Sequence, residues 1–206
     1  MKPPYGRRET MDKIHGLLVD RQKWGMFLAE IGSTRERGNW NGDGYSTPFF
    51  AWIAECTDSY FYSCDARRES TDTARGILEE YGLGQKKDAR GTSHVNLVTM
   101  DGLRFLRLWR NSGIKIDLLY LDGWDWTVET AADSEKCHLD AAIIALPCMA
   151  RGGLIVIDDV IDTETWKGKG ALAIPFLLAA GYEVLHKGYQ TILTKGASCS
   201  PDSKAS

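Results

Sequence analysis

Apolar positions follow two rhythms along this chain, and the two alternate from end to end. Strand-like segments occur at 24–32, 59–65 and 94–101, the first of them apolar, and fully apolar runs lie within 114–126 and 151–160. Between them, apolar residues recur at helical spacing over 47–56, 68–81, 102–111, 133–149 and 166–181. A first helical pattern, over 9–22, carries Met11, Ile14, Leu17 and Leu18. A run that is apolar throughout predicts a strand buried on both faces. Strands that alternate with helices predict a parallel sheet covered on both sides. Gly82 and Gly84 stop the helix over 68–81, as glycines past a helix end commonly do. The segment 182–195 reads as two short strands around Lys187 and Gly188, a hairpin that adds one antiparallel strand. The predicted fold is α/β: a Rossmann-like open sheet of about seven strands, mostly parallel, with an antiparallel C-terminal hairpin strand and helices on both faces. No linker or repeat divides the pattern. It predicts an N-terminal helical segment (1–23), one domain (24–195) and a polar, disordered tail (196–206).

Composition narrows the class. A chain of 206 residues, 43% hydrophobic and 26% charged, suits a single soluble globular domain. A net charge of −3 gives no electrostatic case for nucleic acid or an anionic membrane as partner. The opening MKPPYGRRET has basic residues with no apolar core behind them, which argues against a secretory signal. The longest apolar stretch, 141–150, is broken by Pro147 and is too short to span a bilayer. Five cysteines make an odd count without a Cys-x-x-Cys pair, as expected of reduced thiols in a cytoplasmic protein.

The chemistry gathers where strands end. In an open α/β sheet, ligands bind outside the carboxyl ends of the strands. The first run ends in Glu30, Ile31 and Gly32, the second in Asp65, the third in Met100 and Asp101. The fourth ends in Asp122, the fifth in Asp158 and Asp159. A dinucleotide site usually needs Gly-x-Gly-x-x-Gly after the first strand, so that backbone amides approach a pyrophosphate. Glu30 stands there instead; it repels phosphate and suits a ligand with positive charge, such as an amino acid moiety or a sulfonium. Asp65 falls where an acid accepts hydrogen bonds from a ribose diol, and Asp101 where one holds an adenine amino group. Each acid alone is equally well explained as a helix N-cap. Their succession along the strands is harder to explain that way.

With these residues the chain resembles the class I S-adenosylmethionine-dependent methyltransferases, from about Trp24 to Lys195. The likeness rests on Glu30-x-Gly32, Asp65, Met100-Asp101, Asp122-Gly123, the Arg151-Gly152-Gly153 turn and the closing hairpin. It implies S-adenosylmethionine as cofactor, with Glu30, Gly32, Ser33, Tyr45, Ser46, Asp65, Met100, Asp101, Asp122 and Trp124 as the residues that bind it. The region of Gly32 then passes the methionine part, Asp65 holds the ribose and Asp101 faces the adenine. One departure is an apparent insertion, 35–43, between Gly32 and the matching Gly44-Tyr45-Ser46.

Within that family, the segments LDGWDW and IDDV are similar to those of the catechol-type, divalent-metal-dependent O-methyltransferases. That likeness implies a Mg²⁺ site at Asp122, Asp158 and Asp159, where a hard cation takes oxygen ligands and orients a hydroxyl. The other reading of the same acids is helix capping or a hydrogen bond to substrate. The catechol-type enzymes also carry a lysine shortly after the fourth-strand acid. Here Gly123-Trp124-Asp125-Trp126 follow, which leaves Asp125 or His138 to accept a proton beside Asp122. Trp24, Trp52 and Trp109 fall within predicted strands and helices, as packing residues. Trp40, Trp124, Trp126 and Trp166 fall in loops on one sheet edge, where they predict an apolar wall. The expected acceptor is a hydroxyl on a small aromatic or sugar-like molecule, with no nucleic acid or membrane partner. A non-catalytic cofactor-binding domain and an NAD-dependent oxidoreductase are the alternatives, and a homodimer stays open.

Overall fold

A computed structural model describes residues 7–19, 24–39 and 45–196. The order of elements is α1 (Arg7–Val19), β1 (Phe27–Ile31), α2 (Ser46–Cys56), β2 (Tyr60–Asp65), α3 (Arg68–Glu80), β3 (Val95–Thr99), α4 (Gly102–Ser112) and β4 (Ile116–Leu121). There follow α5 (Ala131–Ala145), β5 (Met149–Ile157), β6 (Val160–Asp162), β7 (Lys167–Gly168), α6 (Gly170–Ala179), β8 (Glu183–His186) and β9 (Thr191–Thr194). The main sheet has seven strands in the order β3-β2-β1-β4-β5-β9-β8, and β6 with β7 makes a small separate hairpin. Strands β1 to β5 pair in parallel, while β9 runs antiparallel to both β5 and β8.

The apolar runs become the central strands because both faces are covered. Every residue of β4 is buried, as are the last five of β5. One face packs Leu119, Leu121, Ile155 and Ile157 against α4, α5 and α6. The other packs Leu118, Tyr120, Leu154 and Val156 against α1 and α2. The predicted N-terminal segment is thus part of this second core: Met11, Ile14 and Leu18 of α1 are fully enclosed, and each contributes about 1.5–3 kcal/mol. Trp109 is buried as expected. Trp24, 71% exposed, corrects the sequence reading, whereas Trp52 lies in α2 as a packing residue although 42% exposed. Trp24 lies just before β1 rather than in it, and Trp52 stacks on His15 at the outer side of α2.

Register sets the strand ends level. Ile31 pairs with Cys64 and Leu121, Asp65 with Thr99, and Leu121 with Ile157. Beyond these pairs the ladder continues by one bond on each strand: Gly32 N–H to Cys64, Asp122 N–H to Ile31 and Asp158 N–H to Leu121, at 2.8, 2.8 and 3.1 Å. The order reverses between β1 and β4, so Gly32 and Asp122 flank the topological switch point. The expected helix over 166–181 begins later. Gly168, at a φ of +107°, and Trp166, at +60°, form the β6–β7 hairpin instead. Among the described residues no helix is long and apolar enough to cross a membrane. Cys56, Cys64, Cys137 and Cys148 are free thiols; Cys199, Trp40 and the expected tail from 197 lie outside the described residues.

Candidate active site

A cavity of about 400 Å³ opens at the switch point, within the range of roughly 300–1,000 Å³ typical of small-molecule sites. Gly32 and Ser33 line it from β1, Asp65 from β2, Asp101 from the turn into α4, and Asp122, Gly123, Trp124 and Asp125 from the loop after β4. His138 closes it from α5. Two glycines make this geometry sterically allowed. A Cβ on Gly32, which has a φ of +95°, would stand 2.6 Å from the main-chain oxygen of Asp122. A Cβ on Gly123 would meet the Ile31 side chain at 2.9 Å. The turns after β1 and β4 therefore cross in direct backbone contact, which only glycine permits.

Asp65 ties two turns together. Its Oδ2 accepts the Ser33 N–H at 3.2 Å and its Oδ1 accepts the Arg67 N–H at 2.8 Å. Asp101 caps α4 by accepting the Arg104 N–H at 2.8 Å, as an N-cap aspartate should. Met100 is half-buried with its carbonyl accepting from the Cys64 thiol. Glu30 does not line the cavity. It is sealed under the first loop, where Thr47 and Ser63 donate to its Oε2 at 2.7 and 2.5 Å. Burial, only partly offset by bonds from Ser46, Ser63 and Thr47, pushes its carboxyl up to about 8. Tyr45 and Ser46 are buried alongside, Tyr45 in a left-handed conformation at a φ of 51°.

His138 is enclosed, and burial, reinforced by the charge on Lys169, pushes it down to about 4. The neutral ring donates from Nδ1 to the Ser134 carbonyl at 2.7 Å, so Nε2 is its accepting nitrogen. Asp125 meets Arg35 at 2.7 Å, and that hydrogen bond holds its carboxyl below the ordinary range. Paired in this way, it is a poor proton acceptor.

At the expected Mg²⁺ site stands Lys169, a residue the sequence reading did not single out. Its ammonium, only 1% exposed, lies between Asp122 Oδ1 at 2.5 Å and Asp159 Oδ2 at 2.8 Å. Asp158 faces elsewhere: Tyr120 donates to its Oδ2 at 2.9 Å, and the Asp159 N–H to its Oδ1 at 2.8 Å. Arg7 from α1 pairs with both Asp158 and Asp159, at 3.2 and 3.4 Å. The three acids thus already hold two internal cations, and the described residues contain no cluster of His, Cys, Asp or Glu arranged for a metal ion. Burial opposes the charge on Lys169, but Asp122, Asp159 and Asp158 outweigh it and hold its pKa above the ordinary value. Burial and the neighbouring Asp122 raise Asp158. For Asp159 burial pushes the other way, but the charge and hydrogen bond of Lys169, the bond from Tyr189 and the charge on Arg7 together outweigh it and lower its pKa. The aromatic wall is also smaller than expected. Trp124, 56% exposed, lines the cavity, whereas Trp126 donates to Glu135 at 3.1 Å and Trp166 packs toward the α6 core under Lys187.

No protein-family profile matches the chain, and no curated protein matches its sequence. Solved structures do match. An O-methyltransferase from Bacillus cereus in complex with SAH is 19% identical, with a TM-score of 0.59 over 89% of this chain and 79% of that one. The chain has the class I methyltransferase fold. A protein described as a SAM-dependent methyltransferase from Streptococcus mutans is 13% identical, with a TM-score of 0.59 over 91% of this chain. This chain spans only 48% of that protein's length. One described as an rRNA-methylase from Clostridium thermocellum is 12% identical, with a TM-score of 0.55 over 94% of this chain and 96% of that one. This methyltransferase fold thus occurs in proteins described as acting on quite different acceptors.

Proposed function

We propose that the protein binds S-adenosylmethionine across the ends of β1 and β4 and transfers its methyl group to a hydroxyl of a small molecule. The observation that carries this reading is the cavity at the switch point, which joins Gly32, Asp65, Asp101 and Asp122 on one acidic wall. Such a wall suits a ligand whose amino acid end and sulfonium are cationic, and disfavours a pyrophosphate. When bound, the cofactor supplies an electrophilic methyl group on sulfur.

The chain's own residues do the rest. Asp65 faces the ribose, and the Gly32–Asp122 crossing leaves backbone close to the methionine end. Asp101 and Trp124 take the adenine side. Methyl transfer needs the acceptor oxygen held in line with the methyl carbon while the bond from sulfur breaks. The hydroxyl proton must leave as the new carbon–oxygen bond forms. His138, a neutral ring on the cavity wall with Nε2 as its acceptor, is placed to take it, and its pKa near 4 makes it a weak base that accepts the proton only as the carbon–oxygen bond forms. Asp122 is engaged with Lys169 and serves to shape the site. Trp124, exposed at the mouth, offers an aromatic face for an aromatic or sugar-like acceptor.

Tritiated S-adenosylmethionine incubated with a panel of phenols, catechols and glycosides, and separately with tRNA and rRNA, tests the acceptor class. Label in the small-molecule fraction, reduced at least about tenfold by His138→Ala, is the expected result. Label recovered in RNA alone rules out the small-molecule reading.

A further inference from the structure

The cluster of Asp122, Asp158 and Asp159 closes the C-terminal edge of β4 and β5 beside the cavity. Most of its oxygens have a partner, and Asp159 Oδ1 pairs with Arg7 at 3.4 Å. Both oxygens of Asp158 are held by Tyr120, Arg7 and the Asp159 N–H, and Gln190 donates in turn to the Tyr120 hydroxyl. Three further oxygens converge on one point. Asp122 Oδ1 at 2.5 Å, the Asp122 main-chain oxygen at 3.3 Å and Asp159 Oδ2 at 2.8 Å all surround Lys169 Nζ. An ammonium has three donors and no acceptor, so Lys169 is saturated by these three oxygens. It has no donor left for a substrate and no lone pair to act as a base.

Two backbone features hold the ammonium there. Asp159 sits in a left-handed conformation at a φ of 50°, and its carbonyl accepts the Lys169 N–H at 3.2 Å. A Cβ on Gly168 would stand 2.0 Å from that same carbonyl oxygen, so the hairpin can return Lys169 to this point only with glycine beside it.

We infer that Lys169 is the resident cation of this site: its ammonium fills the place a divalent metal ion would take between Asp122 and Asp159, and removing it opens a divalent-cation site. Lys169 is a positioning residue, acting through the two carboxylates it fixes. Two carboxylates and one main-chain carbonyl are oxygen donors of the kind Mg²⁺ and Mn²⁺ prefer, with water completing the shell. The consequence for turnover, that a chelator leaves methyl transfer unchanged, rests on the proposed function. The metal-binding prediction does not.

Manganese titration followed by electron paramagnetic resonance tests the inference without any activity. Wild-type protein is expected to leave the free Mn²⁺ signal unchanged at millimolar metal. Lys169→Ala is expected to remove one equivalent and to gain thermal stability with Mn²⁺, and the Lys169→Ala/Asp159→Asn double variant to lose both effects. Wild-type protein that takes up Mn²⁺ in an Asp122-dependent way overturns the inference. So does a folded Lys169→Ala variant that binds none, or a double variant that binds as well as the single one. If Lys169→Ala is unfolded without metal, Mn²⁺ must restore its cooperative thermal transition; failure to do so also overturns the inference. Binding of S-adenosylmethionine by the wild type, measured separately, distinguishes failure here from failure of the methyltransferase reading.

Discussion

Glu30 is a fully enclosed carboxyl whose bonding partners are hydroxyls, with Oε1 lacking a hydrogen-bond partner among the described residues. Its pKa lies near 8, against an ordinary value of 4.5. Below the lower value both folded and unfolded chains hold the proton. Between the two, the unfolded chain has released it while the folded one retains it, so stability falls as pH rises through this window. Above the upper value the loss is complete, on the order of a few kcal/mol. Thermal melts from pH 5 to 9 should therefore show a declining midpoint for the wild type and a flatter profile for Glu30→Gln. Parallel profiles would mean that Glu30 is ionised throughout. The same burial explains why sequence could name Glu30 but not its position. An acid at a strand end looks identical in sequence whether it faces the ligand or the loop beneath it. Only the hydroxyls of Thr47 and Ser63, far away in sequence, draw it inward.

At the scale of elements, the strands and most helices were legible because their apolar runs and helical spacing are strong. Strand ends were legible too, since buried runs close on acids. The β6–β7 hairpin was not, because its strands are only three and two residues long, and β7 falls within the stretch 166–181 that is otherwise helical in pattern. Missing the hairpin meant missing Lys169. Sequence reasoning looked for a lysine just after Asp122, whereas the chain supplies one after the fifth strand and folds it back. The signal available was Lys169 flanked by Gly168 and Gly170, a cation between two tight backbone positions. Junctions of this kind tolerate little. Gly32→Ala would force a Cβ into the backbone of Asp122 in a left-handed conformation. A loss of roughly 2–4 kcal/mol is expected in denaturant unfolding, since strain and a backbone clash add. A change within about 0.5 kcal/mol would mean that the β1 and β4 turns are not locked together as described.

For the whole molecule, level strand ends and one reversal of strand order gather Gly32, Asp65, Asp101 and Asp122 from separate parts of the chain into one cavity. Four of the five non-glycine residues with positive φ among the described ones, Tyr45, Trp124, Asp159 and Trp166, lie in segments at this carboxyl edge. Such strain commonly clusters at functional sites. The acceptor was less legible, because acceptor loops are specified by their own side chains rather than by the fold. Titration calorimetry with S-adenosylmethionine tests the central claim most directly. Saturable one-to-one binding is expected for the wild type, with affinity at least about tenfold weaker for Asp65→Ala and no binding of NAD. Absence of heat with S-adenosylmethionine, or binding of NAD in its place, would contradict the account.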